Sequence, residues 1–447
     1  VSVAIICFSL ISLLFLDFTG TLHVWFGWLA KIQFLPALLA LNVGVILSLL
    51  LLTLLFGRIY CSVICPLGVF QDIIAWFGKR GKKLPYTYSR ALSWLRYGIL
   101  IVFIIAVLAG VGSFVALLAP YSSYGRIISN LFAPLYQLGN NMFAYLAERA
   151  ESYAFYEVDV WVKSLSTFII ALITFGVLVL LAWRNGRTYC NTICPVGTFL
   201  GIIAKYSLFK PVIDVSKCNS CGLCARHCKA ACIDSKKHKI DYSRCVVCLD
   251  CLDKCRHGAI KYMRRSAVKD KISSPVVTQD QIDSARRNFL SVSALFAATT
   301  VIKAQEKKVD GGLAVIEDKK IPNRVVALTP PGSLSVRNFA KHCTACQLCV
   351  SVCPNQVLRP SGSLMTLMQP EMSYERGYCR PECTKCSEVC PAGAIQMVAS
   401  DSESYDSPKI PVVNVERCIG CGACENLCPA RPFSAIYVEG HEIHKTV

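Results

Sequence analysis

The sequence predicts an α-helical membrane bundle joined to small, cysteine-rich α+β domains. Three features carry this prediction: four long apolar stretches in the first 185 residues, a cysteine motif duplicated at the ends of two of them, and five further strings of four cysteines. Of the 447 residues, 54% are hydrophobic and 17% are charged, against roughly 25% charged in ordinary soluble domains. This composition excludes a disordered chain and disfavours a purely soluble enzyme.

The four apolar stretches predict four membrane spans within a domain of residues 1–210. Each is long enough, or nearly so, to cross a hydrocarbon core of ~30 Å at about 1.5 Å per residue, and none has a charge in its interior. No small-residue cleavage site follows the first stretch, so we interpret it as a span rather than as a signal peptide. The stretches cover residues 1–16, 34–56, 97–118 and 166–183.

The loops between these stretches predict the orientation of the bundle. Residues 57–96 are strongly basic with Asp72 as the only acid, whereas residues 120–165 hold four acids and three basic residues. The positive-inside rule then puts the 57–96 loop in the cytoplasm and the 120–165 loop outside. This topology partly explains the net charge of +18 without nucleic acid as a partner. The basic residues of the first loop are Arg58, Lys79, Arg80, Lys82, Lys83, Arg90 and Arg96.

An internal repeat lies at the predicted cytoplasmic ends of two spans. The segment from Gly57 to Phe70 recurs from Gly186 to Phe199 at an offset of 129 residues, and both copies contain the pattern G-R-x-Y-C-x3-C-P. Because proline suits the first position of a helix, we expect a new helix to begin at each proline. The second cysteine of each copy would then lie at a helix N-terminus, where a thiolate is favoured.

The four thiols of this repeat are candidate cofactor ligands. They could hold an additional iron–sulfur cluster or metal between the two pseudo-symmetric halves, or act as redox-active thiol pairs. They could also be small buried residues that close a tight helix turn, since free cysteine is often only a buried hydrophobe. The four residues are Cys61, Cys65, Cys190 and Cys194.

Five strings of four cysteines follow the bundle and carry the metal chemistry. Four strings have the spacing C-x2-C-x2-C-x3-C, and the remaining one has three residues in its first gap. This is the bacterial ferredoxin pattern for 4Fe–4S clusters. The metal-ligand candidates are Cys218, Cys221, Cys224 and Cys228; Cys245, Cys248, Cys251 and Cys255; Cys343, Cys346, Cys349 and Cys353; Cys379, Cys383, Cys386 and Cys390; and Cys418, Cys421, Cys424 and Cys428.

Zinc and disulfides are the main rivals for these cysteines. Zinc sites use two separated cysteine pairs rather than four cysteines in one short string. Cysteines only two residues apart make a poor disulfide framework. The sequence therefore predicts five 4Fe–4S clusters, one for each string.

The pairing of the strings follows from ferredoxin ligation, in which the last cysteine of each motif serves the other cluster. Residues 211–265 are expected to form such a two-cluster domain, with Cys255 completing the first set and Cys228 the second. Cys232 is interpreted as a packed residue or a spare thiol. Residues 311–447 contain three strings, so one cluster must use its own four cysteines or one string belongs to a degraded pair.

The linker of residues 266–310 contains a twin-arginine-like segment. Arg286, Arg287, Phe289 and Leu290 precede a weakly apolar stretch of about 14 residues, as in twin-arginine export signals. Such export carries a folded domain across the membrane, so the segment predicts a fifth membrane anchor and a periplasmic C-terminal domain. The alternative is an interdomain helix, with all five clusters in the cytoplasm.

Several cofactors are not expected. The sequence has no C-x-x-C-H motif for haem c, no histidine inside a predicted span for haem b, and no glycine-rich dinucleotide loop. We therefore expect no haem, no flavin and no NAD.

Residues 1–260 resemble the NapH-like polyferredoxin family, whose core is shared by NosR-like and CcoG/RdxA-like proteins. The resemblance rests on the two C-x3-C-P repeats followed by a two-cluster ferredoxin. The twin-arginine segment and residues 310–447 are similar to the NapG-like exported partner, so the chain looks like a fusion of the two. The resemblance implies α+β ferredoxin-like polyferredoxin domains on a bundle in the bacterial inner membrane, with the first ferredoxin domain in the cytoplasm.

The resemblance also implies a function. It implies oxidation of menaquinol or ubiquinol from the membrane quinone pool and electron delivery through 4Fe–4S clusters to a periplasmic reductase or another redox subunit. The chain would then be an electron-transfer subunit of a quinol dehydrogenase complex. One alternative is an accessory protein of the NosR or CcoG type, which assists the maturation of another redox enzyme. The other is an electron-transfer chain, or wire, that receives its electrons from cytoplasmic ferredoxin.

The quinone site has only weak signals in the sequence. Tyr60, Tyr189, Arg58 and Arg187 flank the repeat thiols, and such residues normally anchor helices at the membrane interface. His23, in the first predicted outer loop, could take or pass a quinol proton.

Overall fold

In the computed structural model, the described residues up to Ala204 form a helical bundle. The structure describes residues 2–17, 21–80, 86–149, 155–264, 324, 326–364, 366–380, 383–396, 418–428, 433–434 and 436–440. The helices of the bundle are α1 (Ser2–Leu16), α2 (Thr21–Phe26), α3 (Trp28–Lys31), α4 (Phe34–Leu39), α5 (Val43–Phe56), α6 (Ile59–Val63), α7 (Pro66–Arg80), α8 (Ser93–Ala109), α9 (Gly112–Leu118), α10 (Pro120–Ile127), α11 (Ala133–Arg149), α12 (Leu165–Asn185), α13 (Thr188–Thr192) and α14 (Pro195–Ala204), with a π-helix (Ile128–Phe132) between α10 and α11.

The second and third apolar stretches are each divided into two helices. Gly110 ends α8 in the left-handed conformation, with φ of 75°, which glycine adopts without steric cost. Between α4 and α5, Leu41 has φ of 51°, and the Asn42 side chain accepts a hydrogen bond from the backbone N–H of Val45. This cap starts α5 as a separate helix, so a continuous apolar run does not form a continuous helix here.

Among the described helices, α12 alone is long and apolar enough to cross a membrane by itself. Only 22% of its most apolar window is buried inside the protein. Helices α1, α5 and α8 are apolar but shorter, and Leu47 and Ile105 on α5 and α8 are about as exposed as Leu180 on α12. Apolar side chains that face outwards in this number are typical of a lipid or partner contact. The structure supports one candidate span, and the other three spans stay predictions.

Residues 209–264 form a small unit whose two ends pair with each other. Its outer strands, β1 (Phe209–Ile213) and β4 (Ile260–Arg264), run antiparallel, as do the short inner strands β2 (Ile233–Asp234) and β3 (Lys239–Ile240). A 3-10 helix (Val215–Lys217) and the helices α15 (Leu223–Arg226) and α16 (Asp250–Asp253) lie between them. The outer pair closes the unit around the first two cysteine strings.

The described residues from 324 onwards form a second cysteine-rich unit. It contains α17 (Val336–His342), α18 (Leu348–Val352), β5 (Leu358–Pro360), β6 (Pro370–Met372), α19 (Lys385–Glu388) and α20 (Ala423–Leu427). Strands β5 and β6 are antiparallel. The predicted twin-arginine segment and linker, residues 266–310, lie outside the described residues, so the fifth anchor stays a prediction.

The two cysteine-rich units contact opposite ends of α12. Just before this helix begins, the Nζ of Lys163 donates to the carbonyl of Val350 in the second unit, at 3.0 Å. Just after it ends, the backbone N–H of Arg187 donates to the carbonyl of Lys229 in the first unit, at 2.9 Å. A helix of this length spans roughly 30 Å, so the bundle separates the two units by about that distance.

Candidate functional site

The first two cysteine strings line two separate cavities, each with a cysteine from the other string. Cavity A is lined by Cys218, Cys221, Cys224 and Cys255. Cavity B is lined by Cys228, Cys245, Cys248 and Cys251. This placement is the one that crossed ferredoxin ligation requires.

Cys232 is a fifth thiol of cavity B. It is 1% exposed, and its Sγ lies 3.5 Å from the Sγ of Cys228. Cys245 is also close enough to interact with it. Cys232 is therefore packed, as the sequence suggested, and its S–H group is placed to donate to a ligand sulfur.

The third and fourth cysteine strings share two further cavities in the same crossed manner. Cavity C is lined by Cys343, Cys346, Cys349 and Cys390. Cavity D is lined by Cys353, Cys379, Cys383 and Cys386. The side chains thus pair these two strings, a choice that the odd number of strings left open.

The fifth string, residues 418–428, packs against the wall of cavity D. The backbone N–H of Cys379 donates to the carbonyl of Cys421 at 2.9 Å, and the Tyr374 hydroxyl donates to the carbonyl of Gly420 at 2.6 Å. Two thiols of this string are exposed to solvent, those of Cys418 and Cys424.

A left-handed residue follows the second cysteine in four of the five strings. These residues are Gly222, Leu249, Gln347 and Gly422. The turn reverses the chain and starts a short helix, so that successive cysteines face one cavity. Thr384, in the string with the longer first gap, has φ of −110° instead.

Each cavity offers at least four cysteine thiols, the donor set that a 4Fe–4S cluster needs. In the part of the chain that the structure describes, no group of three or more His, Cys, Asp or Glu side chains is placed to hold one metal ion. The thiols stand around the cavities, and backbone N–H groups point at them: Ala259 donates to Cys255 Sγ at 3.2 Å and Ala345 to Cys343 Sγ at 3.4 Å. Such donors stabilise thiolate ligands and tune a cluster's potential.

The four thiols of the C-x3-C-P repeats meet inside the bundle, and we call them the quartet. The quartet consists of Cys61, Cys65, Cys190 and Cys194, each 3–4% exposed. Cys194 lies within electrostatic range of the other three. As predicted, α7 and α14 begin at Pro66 and Pro195, and the Cys194 Sγ accepts from the backbone N–H of Gly197 at 3.3 Å.

Two arginines of the repeat enclose the quartet, and both are fully buried. Arg58 donates from Nη2 to the carbonyl of Cys190 at 3.2 Å, and Arg187 donates from Nη1 to the carbonyl of Cys61 at 2.6 Å. The Gln71 amide donates to the Cys190 Sγ at 3.2 Å. Buried cationic and amide donors offset the negative charge of thiolate ligands, so the quartet also fits an iron–sulfur cluster.

An ion-pair network joins the quartet to cavity B. Arg187 donates to both carboxylate oxygens of Asp72 at 2.7 Å, and Lys229, next to cavity-B residue Cys228, lies 3.4 Å from the same carboxylate. Burial alone would raise the pKa of Asp72, but Arg187 and Lys229 hold it below its ordinary value.

The interpretation of the repeat's aromatic and basic residues as interface anchors is wrong. Tyr60 and Tyr189 are 2% and 6% exposed, and Arg58 and Arg187 are not exposed at all. The arginines turn inwards because the carbonyl groups of the opposite repeat offer partners that a membrane interior does not.

Sequence reasoning missed two elements of the site. Helix α10 follows an apolar stretch, and all eight of its residues are buried although its sequence is polar. That contrast is the signal that could have identified it.

The second element is Asp17, at the C-terminal end of α1, which forms a buried pair with the already predicted His23. The Nδ1 of His23 lies 3.3 Å from Asp17, and the two side chains are 7% and 3% exposed. Within the described residues, His23 Nε2 has no hydrogen-bond partner. Burial lowers the pKa of His23, although Asp17 opposes this shift. The ring is therefore neutral near pH 7 and able to accept a proton at Nε2.

Two sequence families match parts of the chain. The family described as 4Fe-4S binding domain matches residues 38–85 and 167–215, which hold one C-x3-C-P repeat each. The family described as 4Fe-4S dicluster domain matches residues 378–431. This second match joins the fourth and fifth strings along the sequence, whereas the side chains join the third and fourth around shared cavities. We pair the third string with the fourth, because cluster ligation depends on which thiols lie together in space.

The relatives with a descriptive name include ferredoxin-type and electron-transport proteins and one regulatory protein. The ferredoxin-type protein NapH of Haemophilus influenzae is 28% identical over 241 residues, 52% of this chain and 70% of the relative. YccM of Escherichia coli is 24% identical over 229 residues, 49% of this chain and 55% of the relative. The regulatory protein NosR of Stutzerimonas stutzeri is 24% identical over 205 residues, 44% of this chain and 23% of the relative. The chain thus spans between 23% and 70% of the length of these proteins, and no solved structure matches it.

Proposed function

We propose that this NapH- and NosR-like polyferredoxin carries electrons through a membrane bundle between two groups of iron–sulfur sites. The observation that carries the proposal is the order of the thiol sets: cavities A and B, then the quartet, then cavities C and D and the fifth string. A bound 4Fe–4S cluster supplies one-electron redox chemistry at such a site. The twenty cysteines of the five strings are the proposed ligands.

Arg58 links cavity B to the quartet by direct contacts. From Nη1 it donates to the carbonyl of Ser243 at 3.1 Å, two residues before the cavity-B residue Cys245. From Nη2 it donates to Cys190 in the quartet. These contacts leave no solvent gap between the two sites, which favours electron movement between them.

We propose quinol as the electron donor and His23 as the group that accepts one of its two protons. The free Nε2 of His23 and the orienting carboxylate of Asp17 support this role. The neighbouring indole rings of Trp25 and Trp28 are 76% and 56% exposed, and such rings suit the headgroup level of a bilayer, where a quinol approaches.

We propose a periplasmic reductase or redox subunit as the acceptor, reached through the fifth string. The exposed thiols of Cys418 and Cys424 lie beside Ile419 and Leu427, which are 65% and 69% exposed. An exposed apolar patch around a redox site is typical of a docking surface. This role places the second unit in the periplasm and the first in the cytoplasm, and it fits the expected NapG-like character of residues 310–447.

Reduction of the purified protein by a menaquinol analogue in detergent tests the donor. We expect bleaching of the iron–sulfur absorbance and EPR signals from several clusters. A protein that dithionite reduces but the quinol does not would overturn the quinol proposal and favour the accessory role or a ferredoxin-driven wire.

Protease treatment of intact spheroplasts tests the topology. With one epitope tag after residue 447 and another within residues 81–85, we expect loss of the first tag and survival of the second. Survival of both tags, with loss of both after lysis, would place the two units on the same side of the membrane.

A further inference from the structure

Helix α10 is a polar helix buried between the bundle and the second cysteine-rich unit. All its residues are buried, and it packs against α7 and α12. Burial of polar groups costs free energy unless specific contacts offset it. The contacts that offset this cost therefore indicate the role of α10.

Helix α10 lies close to the two tyrosines that precede the first cysteines of the quartet. Tyr121 is within electrostatic range of Tyr60, the neighbour of Cys61. Ser123 lies close to Tyr189, the neighbour of Cys190. Both copies of the repeat thus contact this helix through the tyrosine next to the first cysteine.

The side of α10 that carries Tyr121 also lies against cavity C, because Gly125 follows Tyr121 by about one helical turn. A methyl group added at Gly125 would lie 2.5 Å from the carbonyl oxygen of Cys346 and 2.7 Å from the ring of Phe15. Just beyond the helix, the Asn130 amide donates to the Gln347 side chain at 2.9 Å. Only glycine permits this approach of α10 to a cavity-C residue.

The ring of Tyr121 lies close to residues of both the quartet and cavity C. It is 2% exposed, and it lies within electrostatic range of Cys346 as well as Tyr60. Its hydroxyl has no hydrogen-bond partner among the described residues. The ring packs against that of Phe15, with the two centroids 5.5 Å apart, and Phe15 also lies next to Gly125.

We propose that α10 is the bridge for electron transfer between the quartet and cavity C, through the ring of Tyr121 and the close contact of Gly125 with Cys346. This inference rests on the proposed electron-transfer function. One electron leaves the redox group held at one site and reduces the redox group held at the other. No bond forms or breaks, and no proton moves. A close-packed path without voids provides the contact that such a transfer needs.

The test compares Gly125→Ala with Gly139→Ala in the full-length, cluster-loaded protein. Gly139 is the matched control, since a methyl group there would meet no atom within 4 Å. After pulse reduction, optical and EPR signals follow the redistribution of electrons among the sites. We expect Gly125→Ala to redistribute electrons several-fold more slowly than wild type, because the added methyl group cannot fit against Cys346 and displaces α10 from cavity C. Gly139→Ala should match wild type, and iron content should be equal in all three proteins.

Two variants of Tyr121 provide a second measurement if Gly125→Ala does not fold. Tyr121→Phe keeps the ring and should redistribute electrons at the wild-type rate. Tyr121→Leu removes the ring and should be slower at equal iron content, with a weaker magnetic interaction between the two sites. Equal rates in Gly125→Ala and Gly139→Ala, or in Tyr121→Leu and Tyr121→Phe, would overturn the bridge. Absence of redistribution in the wild type would instead overturn the proposed function.

Discussion

Arg58 and Arg187 exchange partners across the repeat, each donating to the carbonyl of the first cysteine in the opposite copy. The glycine two residues after the proline of each repeat leaves space for the carbonyl group that accepts this hydrogen bond. A methyl group at Gly197 would lie 2.4 Å from the carbonyl oxygen of Cys190, and one at Gly68 would lie 2.2 Å from that of Cys61. The two halves of the bundle are therefore held together at the quartet by the repeat itself.

Replacement of Arg58 should disrupt the quartet. We expect Arg58→Gln to lower the free energy of unfolding by about 3 kcal/mol and to lose iron bound at the quartet, because buried carbonyl groups and thiolates lose their donor. Arg58→Lys should be intermediate, since lysine keeps the charge but not the two-sided donor geometry. Iron analysis and thermal unfolding measure both effects. Arg184→Gln, an exposed arginine on α12, is the control, and equal iron in Arg58→Gln and Arg184→Gln would contradict the assignment.

Acid should weaken the contact between α7 and the first cysteine-rich unit. The pKa of Asp72 is held low in the folded protein, so the ionised carboxylate contributes stability above its unfolded pKa of about 4 and loses it as the pH falls through the folded value. Unfolding curves between about pH 5 and pH 2 should show this loss in wild type and a flatter dependence in Asp72→Asn. Asp253→Asn, at an exposed position, should behave like wild type. If the free energy of unfolding of Asp72→Asn fell as steeply in acid as that of wild type, another group would be responsible for the dependence.

The cavities predict which cysteines serve the same cluster. Cys390→Ala and Cys346→Ala should lose the same EPR signal, because both thiols line cavity C. If instead the fourth and fifth strings formed the pair, Cys390→Ala would lose the signal that Cys418→Ala loses. Cys7→Ser, in α1 and outside all five strings, should keep every signal.

Cys232 should raise the reduction potential of the cluster at cavity B. An S–H donor to a ligand sulfur stabilises the reduced, more negative state, and Cys232 lies at hydrogen-bond distance from Cys228. We expect Cys232→Ala to lower the potential by tens of millivolts and Cys232→Ser, which keeps a donor, to lower it less. An EPR-monitored redox titration measures this, and equal potentials in wild type and Cys232→Ala would exclude the interaction.

His23 should matter for reduction by quinol but not for reduction by dithionite. We expect His23→Gln to slow quinol-driven reduction by about 100-fold, within the range for loss of a general base. The lowered pKa of His23 keeps the ring neutral down to below about pH 6.5. The wild-type rate should therefore hold from pH 8 to about 6.5 and fall at lower pH. Equal slowing with dithionite would show damage to the clusters rather than loss of a proton acceptor.

The sequence by itself determined the chemistry of this protein. Cysteine spacing identified the five ferredoxin strings, because a cubane needs ligands from one tight loop. The duplication at Cys61 and Cys190 identified the repeat, and Pro66 and Pro195 marked the starts of two helices. These signals lie within short segments, so they can be recognised without knowledge of the tertiary fold.

Only the tertiary structure decided the relationships that join these parts. It brought Cys390 to Cys343, turned Arg58 and Arg187 inwards, and buried Tyr121 between the quartet and cavity C. Each of these contacts links residues far apart in the sequence, and the choice depends on which partner is within reach when the units pack. Spacing along a chain specifies which group a residue can bind, whereas packing in space specifies which partner it meets.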